Sequence, residues 1–583
     1  MLKDCIEVFE NEYKKYGDKL ILDSYIPTDG KYILISKQEN NDFKIEESLD
    51  IKYNKKTNKI EGRENLYFKD ICNYDYNSKI INTNKSIESK KTIHSNNYLS
   101  FIIKKECLSD GKLTESIIDN YYKRLSNPYL KYAKGRAKQI YEEVEANLDK
   151  IDQELLDCIK IWIKNNIFNL EKLGIEISGK DYLKIFVIAP IEKYIDEGNR
   201  YLIPNIYIKN DFNLKINNKL YGVPNNNMNL NSNKPFLENK TRKSKLLYIL
   251  EKKEVILQQK FFDYLMNFAR EGKTNIYFNE DGIQAFKNDS LIEAAFKGVY
   301  MRINKGEKEL EIHSYDLLTS YKYKLPKVFK FKNILDVETK NTEINYVNPK
   351  NRKELQVIID NVFFSKYLIN NYFTDSKDIP IKDSILKRNL LLSRDIIFNW
   401  IYKGYENGVY GVLDKVSLDL IKNSILFGYM KKAPHQFNLR QAIKNYFEGG
   451  NDMGDKIFEL KNNLRTKINS NDTSYFESDE EYYFSVGQFV NYLLSKSKSK
   501  NKPHSLVNPF INAKNDKLIK EKLRNLYKRY NYNIEMHWKK IKNIYAMILS
   551  YEPKGNVNQD IIIAGYLHSN LIKEINKGEK DNE

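Results

Sequence analysis

The apolar residues of this chain change their spacing once along its length, and that change limits the folds open to it. Up to about residue 375, runs that alternate apolar with polar residues are interleaved with helical stretches. From about Asn361 onward the alternation stops, and apolar residues recur every three to four positions. A period of two seats one face of a strand on a core, and a period near 3.6 does the same for a helix. The expected class is α+β. Residues 1–375 should form a mixed α/β domain with antiparallel strands, and residues 376–583 an all-α helical bundle. At 583 residues the chain exceeds one ordinary core, which agrees with a division.

Within the first part, Ile21 to Ser36 reads ILDSYIPTDGKYILIS, two apolar runs flanking Pro27-Thr28-Asp29-Gly30, and turn chemistry predicts a hairpin there. Phe43 to Tyr53 alternates again, and Tyr182 to Pro190 and Ile203 to Ile216 also have strand character. Another hairpin is expected over Phe296 to His313, turning at Asn304-Lys305-Gly306. Between them, 113–173 has helical period, with Asn127-Pro128 as a break. In the second part the clearest stripes are Val486, Phe489, Val490, Leu493 and Leu494; Ile519, Leu523, Leu526, Tyr527 and Tyr530; and Ile534, Trp538, Ile541, Tyr545 and Ile548. Three adjacent amphipathic helices with short connections predict an antiparallel bundle.

The most unusual polar stretch runs from Tyr221 to Lys245, YGVPNNNMNLNSNKPFLENKTRKSK. Gly222 and Pro224 open a turn, and Asn225, Asn226, Asn227, Asn229 and Asn231 crowd the next positions. Lys234, Lys240, Arg242, Lys243 and Lys245 follow, at the expected start of a helix through Leu246, Leu247 and Leu250. Asn tolerates left-handed backbone and bonds its neighbours, so one reading is an elaborate surface turn. The other is recognition, because an Asn amide both donates to and accepts from a base edge while the cations hold phosphates. A second candidate loop is Ser95, Asn96 and Asn97, just before a strand that ends in Lys104 and Lys105.

The net charge of +18, from 96 Lys and Arg against 78 Asp and Glu, points to a polyanionic partner. Between Asp516 and Tyr545 nine basic residues face three acids, so the outer face of the bundle is expected to be basic; Lys539, Lys540 and Lys542 are candidates for holding a displaced DNA strand. Cys5, Cys72, Cys107 and Cys158 stand far apart without ligand spacing, and the six His form no HExxH. Gly272-Lys273-Thr274 resembles the end of a P-loop, but Asn267 stands where that pattern needs Gly. No metal, no cofactor and no catalytic residue is therefore expected. No run of about 18 apolar residues or signal-peptide core is present, which predicts a cytoplasmic protein without a membrane partner.

Four segments together resemble the large subunit of the type I-B CRISPR surveillance complex (Cascade), Csh-type, the b type of the eighth CRISPR-associated family. They are MLKDCIEVFENEYKKYGDKLILDSYIPTDGKYILI (1–35), HSNNYLSFIIKKE (94–106), GVPNNNMNLNSNKPFLENKTRK (222–243) and YYFSVGQFVNYLLSKSKSKNKPHSLVNPF (482–510). The resemblance implies a non-catalytic subunit at the CRISPR RNA 5′ end that recognises the protospacer-adjacent motif (PAM), aids opening of the target duplex, stabilises the R-loop and recruits the helicase-nuclease. Its implied partners are CRISPR RNA, double-stranded target DNA, the displaced single strand, and the Cascade backbone and small subunits. It also implies a mixed α/β N-terminal domain holding the PAM and RNA region, and a helical C-terminal domain. The last part of the helical domain, about 453–583, corresponds to the small subunit and is expected to fold alone; Met430 or Met453 could serve as an internal start. Some relatives carry a Cys cluster suggestive of zinc, which this chain lacks. Guide pairing leaves the protein a few base pairs to read, a task that suits short Asn amides in the minor groove. The alternative from another class is a phage-defence or restriction-type DNA nuclease with dispersed carboxylates; a third is a plain RNA-binding scaffold.

Overall fold

The computed structural model describes residues 2–54, 57–81, 85–208, 213–217, 219–225, 248–306, 310–337, 344–449, 453–499, 504–534 and 539–574. Strands lie in the N-terminal part and the C-terminal region is entirely helical. The chain forms two compact units, Met1–Lys287 with Gly298–Leu317, and Asn288–Lys297 with Leu318–Glu583. The sequence expectation put the division near residue 375. Among the described residues the last strand ends at Tyr321 and the next element is the helix Arg352–Phe364, so the change of architecture comes earlier than the helical period alone suggests.

A five-stranded sheet organises the first unit: β1 (Gly30–Lys37), β2 (Phe43–Asn54), β3 (Lys59–Glu61), β4 (Ser100–Lys104) and β5 (Tyr182–Val187), in the order β3-β2-β1-β5-β4. Tyr32, Ile33, Leu34 and Ile35 of β1 are all buried, so this strand is covered on both faces. The hairpin expected around Pro27 to Gly30 is corrected. Lys19–Leu22 is a short helix, and β1 pairs instead with β2 through a turn in which Asn41 has a φ of 61°. Alternation marks a strand but not its partner. The sheet is also not wholly antiparallel, because β1 runs parallel to β5 from Gly30↔Tyr182 to Ile35↔Val187. Gly30 permits that start: a Cβ there would stand 2.3 Å from the Tyr182 carbonyl oxygen.

A second sheet has the order β10-β9-β11-β12, made of β9 (Asn275–Asn279), β10 (Gly282–Phe286), β11 (Phe296–Lys305) and β12 (Leu310–Tyr321). Strands β11 and β12 are neighbours as the second hairpin requires, but Asn304 and Lys305 end β11 rather than turn, and 307–309 lie outside the described residues. A small third sheet joins β6 (Leu214–Ile216), β7 (Lys219–Gly222) and β8 (Leu250–Glu251). The strand expected over Ile203 to Ile216 is thus reduced to β6, because Ile203–Asn205 turns as a short 3-10 helix. The helix Lys252–Arg270 starts from a capping box of Glu251 and Glu254, and Leu250 belongs to β8 rather than to that helix.

In the second unit an apolar core mixes Ile421, Ile425 and Phe437 with Phe489, Leu523, Ile548 and Ile562. The expected bundle is present in Asp479–Ser495, Asp516–Tyr530 and Lys539–Ser550. Caps come from Ser478, whose side chain accepts from the Glu481 N–H, and from Asn515, which accepts from Leu518. A further helix, Gln559–Leu567, has no amphipathic stripe to announce it, because nearly every one of its residues is buried. Among the described residues, no helix is long and apolar enough to cross a membrane.

Candidate nucleic-acid interface

The described residues on either side of the Asn-rich segment form a small, tightly tied root in the first unit. Strands β7 and β8 pair antiparallel, Tyr221 opposite Glu251 and Gly222 opposite Leu250, so the two ends of the segment lie side by side. The buried Tyr207 hydroxyl lies 3.2 Å from the Leu220 carbonyl oxygen and 3.3 Å from that of Leu250, touching both strands. Gly222 is required by close approach rather than by a turn: a Cβ would meet the Tyr207 ring at 2.5 Å. The Val223 carbonyl accepts from the Ile208 N–H at 3.0 Å, and the Asn225 N–H donates to the Ile206 carbonyl at 2.7 Å. Ile140, Ile206, Tyr207, Leu250 and Val255 form the apolar cluster beneath. Asn225 therefore starts the Asn run from a held position. Asn226, Asn227, Asn229, Asn231, Lys234, Lys240, Arg242, Lys243 and Lys245 lie outside the described residues.

Basic side chains that sequence reasoning missed gather beside this root. The Lys85 ammonium donates to the carbonyls of Tyr207 at 3.3 Å and Ile208 at 3.2 Å. Lys131 donates to the carbonyls of Lys85 at 2.9 Å and Ser86 at 2.5 Å, and Arg124 to that of Ile87 at 2.6 Å. In a chain this rich in charge, no spacing rule picks out positions 85, 124 and 131.

The second candidate loop is turned inward. Ser95, Asn96 and Asn97 are buried. The Asn97 amide donates to the Tyr194 carbonyl at 3.0 Å and accepts from the Leu99 N–H at 3.0 Å, while Ser95 and Ser100 share a 2.5 Å hydroxyl contact. Lys105 is 5 % exposed, bonded to Asp181 at 3.0 Å and to the Ser178 carbonyl at 3.1 Å; Lys104 pairs with Glu106 at 3.4 Å. We correct the expectation that Ser95, Asn96, Asn97 and Lys105 touch DNA: their polar groups brace the end of β4 from inside, and burial keeps the amides of 96 and 97 from a base edge, whereas Lys104 stays partly exposed.

In the second unit, the rings of Tyr527 and Tyr545 stack at 4.4 Å and lock the helices Asp516–Tyr530 and Lys539–Ser550 together. Lys517, Arg524, Lys528, Arg529 and Lys542 are exposed. Lys539 bonds the Asn471 side chain, and Lys540 donates to the Glu574 carbonyl at 2.5 Å, so Lys542 is the least committed of the three lysines singled out from sequence.

A cavity of about 410 Å³ in the first unit is lined by Tyr25, Asp75, Lys79, Lys184, Asp263 and Arg270 among others. Its charges are mostly matched internally: Lys184 meets Asp75 at 2.5 Å, Lys79 meets Asp263 at 3.2 Å, and Arg270 bonds the Ile26 carbonyl. Burial outweighs the Asp75 charge and lowers the Lys184 pKa from its ordinary value. Among the described residues, no group of three His, Cys, Asp or Glu side chains comes together to hold a metal ion. No family model, curated protein or solved structure matches the chain.

Proposed function

We propose that the chain is the non-catalytic large subunit of a type I-B CRISPR Cascade, which recognises the PAM, helps open the target duplex and recruits the helicase-nuclease. The observation that carries this reading is the root at Tyr207, Gly222 and Asn225. It supports an anchored recognition loop over a passive linker, since a flexible spacer has no need of two paired strands and a buried tyrosine at its ends. The net charge of +18 and the exposed cations of the two C-terminal helices are consistent with a nucleic-acid partner. Under this reading the Asn side chains from 225 to 231 read or wedge the PAM, and Lys234, Lys240, Arg242, Lys243 and Lys245 hold phosphates. CRISPR RNA, the Cascade backbone and small subunits, and the displaced strand are the further proposed partners, in the cytoplasm.

The test is target-duplex affinity of the assembled complex across a panel of PAM sequences at two salt concentrations. Alanine at Asn225, Asn226, Asn227 and Asn229 should change which PAM is accepted, by about 1–3 kcal/mol for each base edge well read. Alanine at Lys240, Arg242 or Lys243 should weaken all PAM variants alike and reduce the log-log salt slope by roughly 0.9 for each phosphate no longer held. Unchanged preference and affinity in the Asn variants would make the segment a structural turn, and cleavage of DNA by the purified chain with Mg²⁺ would favour the nuclease alternative.

A further inference from the structure

Lys85, Arg124 and Lys131 form a cluster of positive charge in which, among the described residues, Glu88 is the nearby acid and no carboxylate is bonded to any of the three. The acceptors of all three are neutral backbone carbonyls, on Lys85, Ser86, Ile87, Tyr207 and Ile208. Glu88 is buried and occupied by the backbone N–H groups of Lys90, Thr92 and Ile93. An ammonium has three donors and a guanidinium five. Two of the donors on each Lys and one on Arg124 are used, so N–H groups remain on all three side chains. Burial above all, then the charges of Arg124 and Lys85, push the Lys131 ammonium down to about 7, with Glu88 opposing. The unbalanced charge and the unused donors describe a binding site for a tetrahedral oxyanion.

We propose that Lys85, Arg124 and Lys131 hold a phosphate of a nucleic-acid backbone beside the root of the Asn-rich segment. The site rests on this geometry alone, and only the source of the phosphate rests on the function proposed above. Because Lys85 also binds the carbonyls of residues 207 and 208, the phosphate would be fixed relative to Asn225, whose N–H is tied to residue 206.

The experiment uses the full chain and two probes, a short DNA duplex and sodium sulfate at constant ionic strength. A bound phosphodiester keeps Lys131 protonated, so affinity should fall as pH rises through about 7, by roughly tenfold between pH 6 and 8.5. Lys131→Arg, charged throughout, should bind well at both pH values; Lys131→Gln should bind weakly at both. Sulfate should raise the melting temperature of the parent chain and not of Lys131→Gln; if that variant does not fold, Lys131→Arg supplies the pH comparison. A DNA pH dependence that both variants retain would overturn the proposal. Sulfate stabilisation with DNA affinity indifferent to Lys131 would overturn the nucleic-acid source and leave a site for free anions. If the chain binds no DNA, the function proposed above fails, and the sulfate arm decides the site: stabilisation lost in Lys131→Gln supports it, and no stabilisation overturns it.

Discussion

Arg440 grips Asp560 with two bonds, Nε to Oδ1 at 2.8 Å and Nη2 to Oδ2 at 3.1 Å, across 120 residues of sequence inside the helical unit. Lys444 adds a third bond at 3.1 Å, and Asp414 lies 2.9 Å from Arg440. Burial on its own would raise the Asp560 pKa, but Arg440 and then Lys444 outweigh it and hold the carboxyl below its ordinary value. The pair fastens the helix Ala433–Glu448 to the late helix Gln559–Leu567.

This pairing bears on the idea that the last 130 or so residues fold alone. A fragment starting at Met453 loses Arg440 and Lys444 and uncovers the apolar surface that Ile421, Ile425 and Phe437 cover. Residues 318–583 should melt cooperatively by circular dichroism, and 453–583 at a clearly lower temperature. Equal melting would make the packing before Met453 dispensable.

Removing one partner of this buried pair should cost more than removing both. Arg440→Met leaves the buried Asp560 with Lys444 as its remaining cation, at up to about 3–5 kcal/mol, whereas adding Asp560→Leu should recover part of that loss. The carboxyl is held below its ordinary 3.8, so its contribution is full above that value and is lost as pH falls below it through the lower folded-state pKa. Denaturant titrations at pH 7 and pH 3 of the parent and the double variant measure this, and an equal acid loss in both would assign it elsewhere.

Gly487 and Gly565 allow the helices Asp479–Ser495 and Gln559–Leu567 to touch backbone to backbone. A Cβ on Gly487 would stand 2.2 Å from the Ile562 carbonyl oxygen, and one on Gly565 2.1 Å from that of Phe484. Alanine at either site should destabilise by about 1–3 kcal/mol or more, against its better helix propensity. Gly411, in the helix Val409–Leu426, has nothing within 4 Å of such a Cβ, so Gly411→Ala should stabilise by up to about 1 kcal/mol. Chemical denaturation of the three variants tests the contrast.

His435 and His568 are buried in the helical unit, and burial lowers both pKa values below the ordinary 6.5. The Tyr346 hydroxyl lies 2.6 Å from His435 Nδ1, and among the described residues Nε2 has no hydrogen-bond partner. The unfolded chain then binds more protons than the folded one below pH 6.5, so stability should fall as pH drops from 6.5 toward 5. His435→Gln should reduce that loss in melting temperature, and an unaltered pH profile would exclude His435 as a source.

The exposed cations of Asp516–Tyr530 and Lys539–Ser550 are placed to follow a strand without reading it. Reversing Arg524, Lys528 and Lys542 to Glu should weaken complex binding to all targets alike and flatten the salt dependence, by roughly 0.7 in log-log slope for each single-strand phosphate released. Unchanged affinity would return these side chains to an ordinary solvated face.

By itself the sequence determined what depends on neighbours along the chain. The stripe through Ile519, Leu523 and Leu526 is a helix with a buried face, Phe43 to Asn54 is a strand, and Asn127-Pro128 interrupts a helical run. Periodicity and turn chemistry are local, so they survive being read one segment at a time. Only tertiary structure decided that β1 takes β5 as a parallel partner, that Ser95 to Asn97 face inward, and that Gln559–Leu567 exists as a helix buried over nearly all its length. It also decided that Lys85, Arg124 and Lys131 share one place and bond backbone carbonyls there. Strand partners, burial and the balance of charge at a point are set between residues far apart in sequence, and no spacing rule along the chain encodes them.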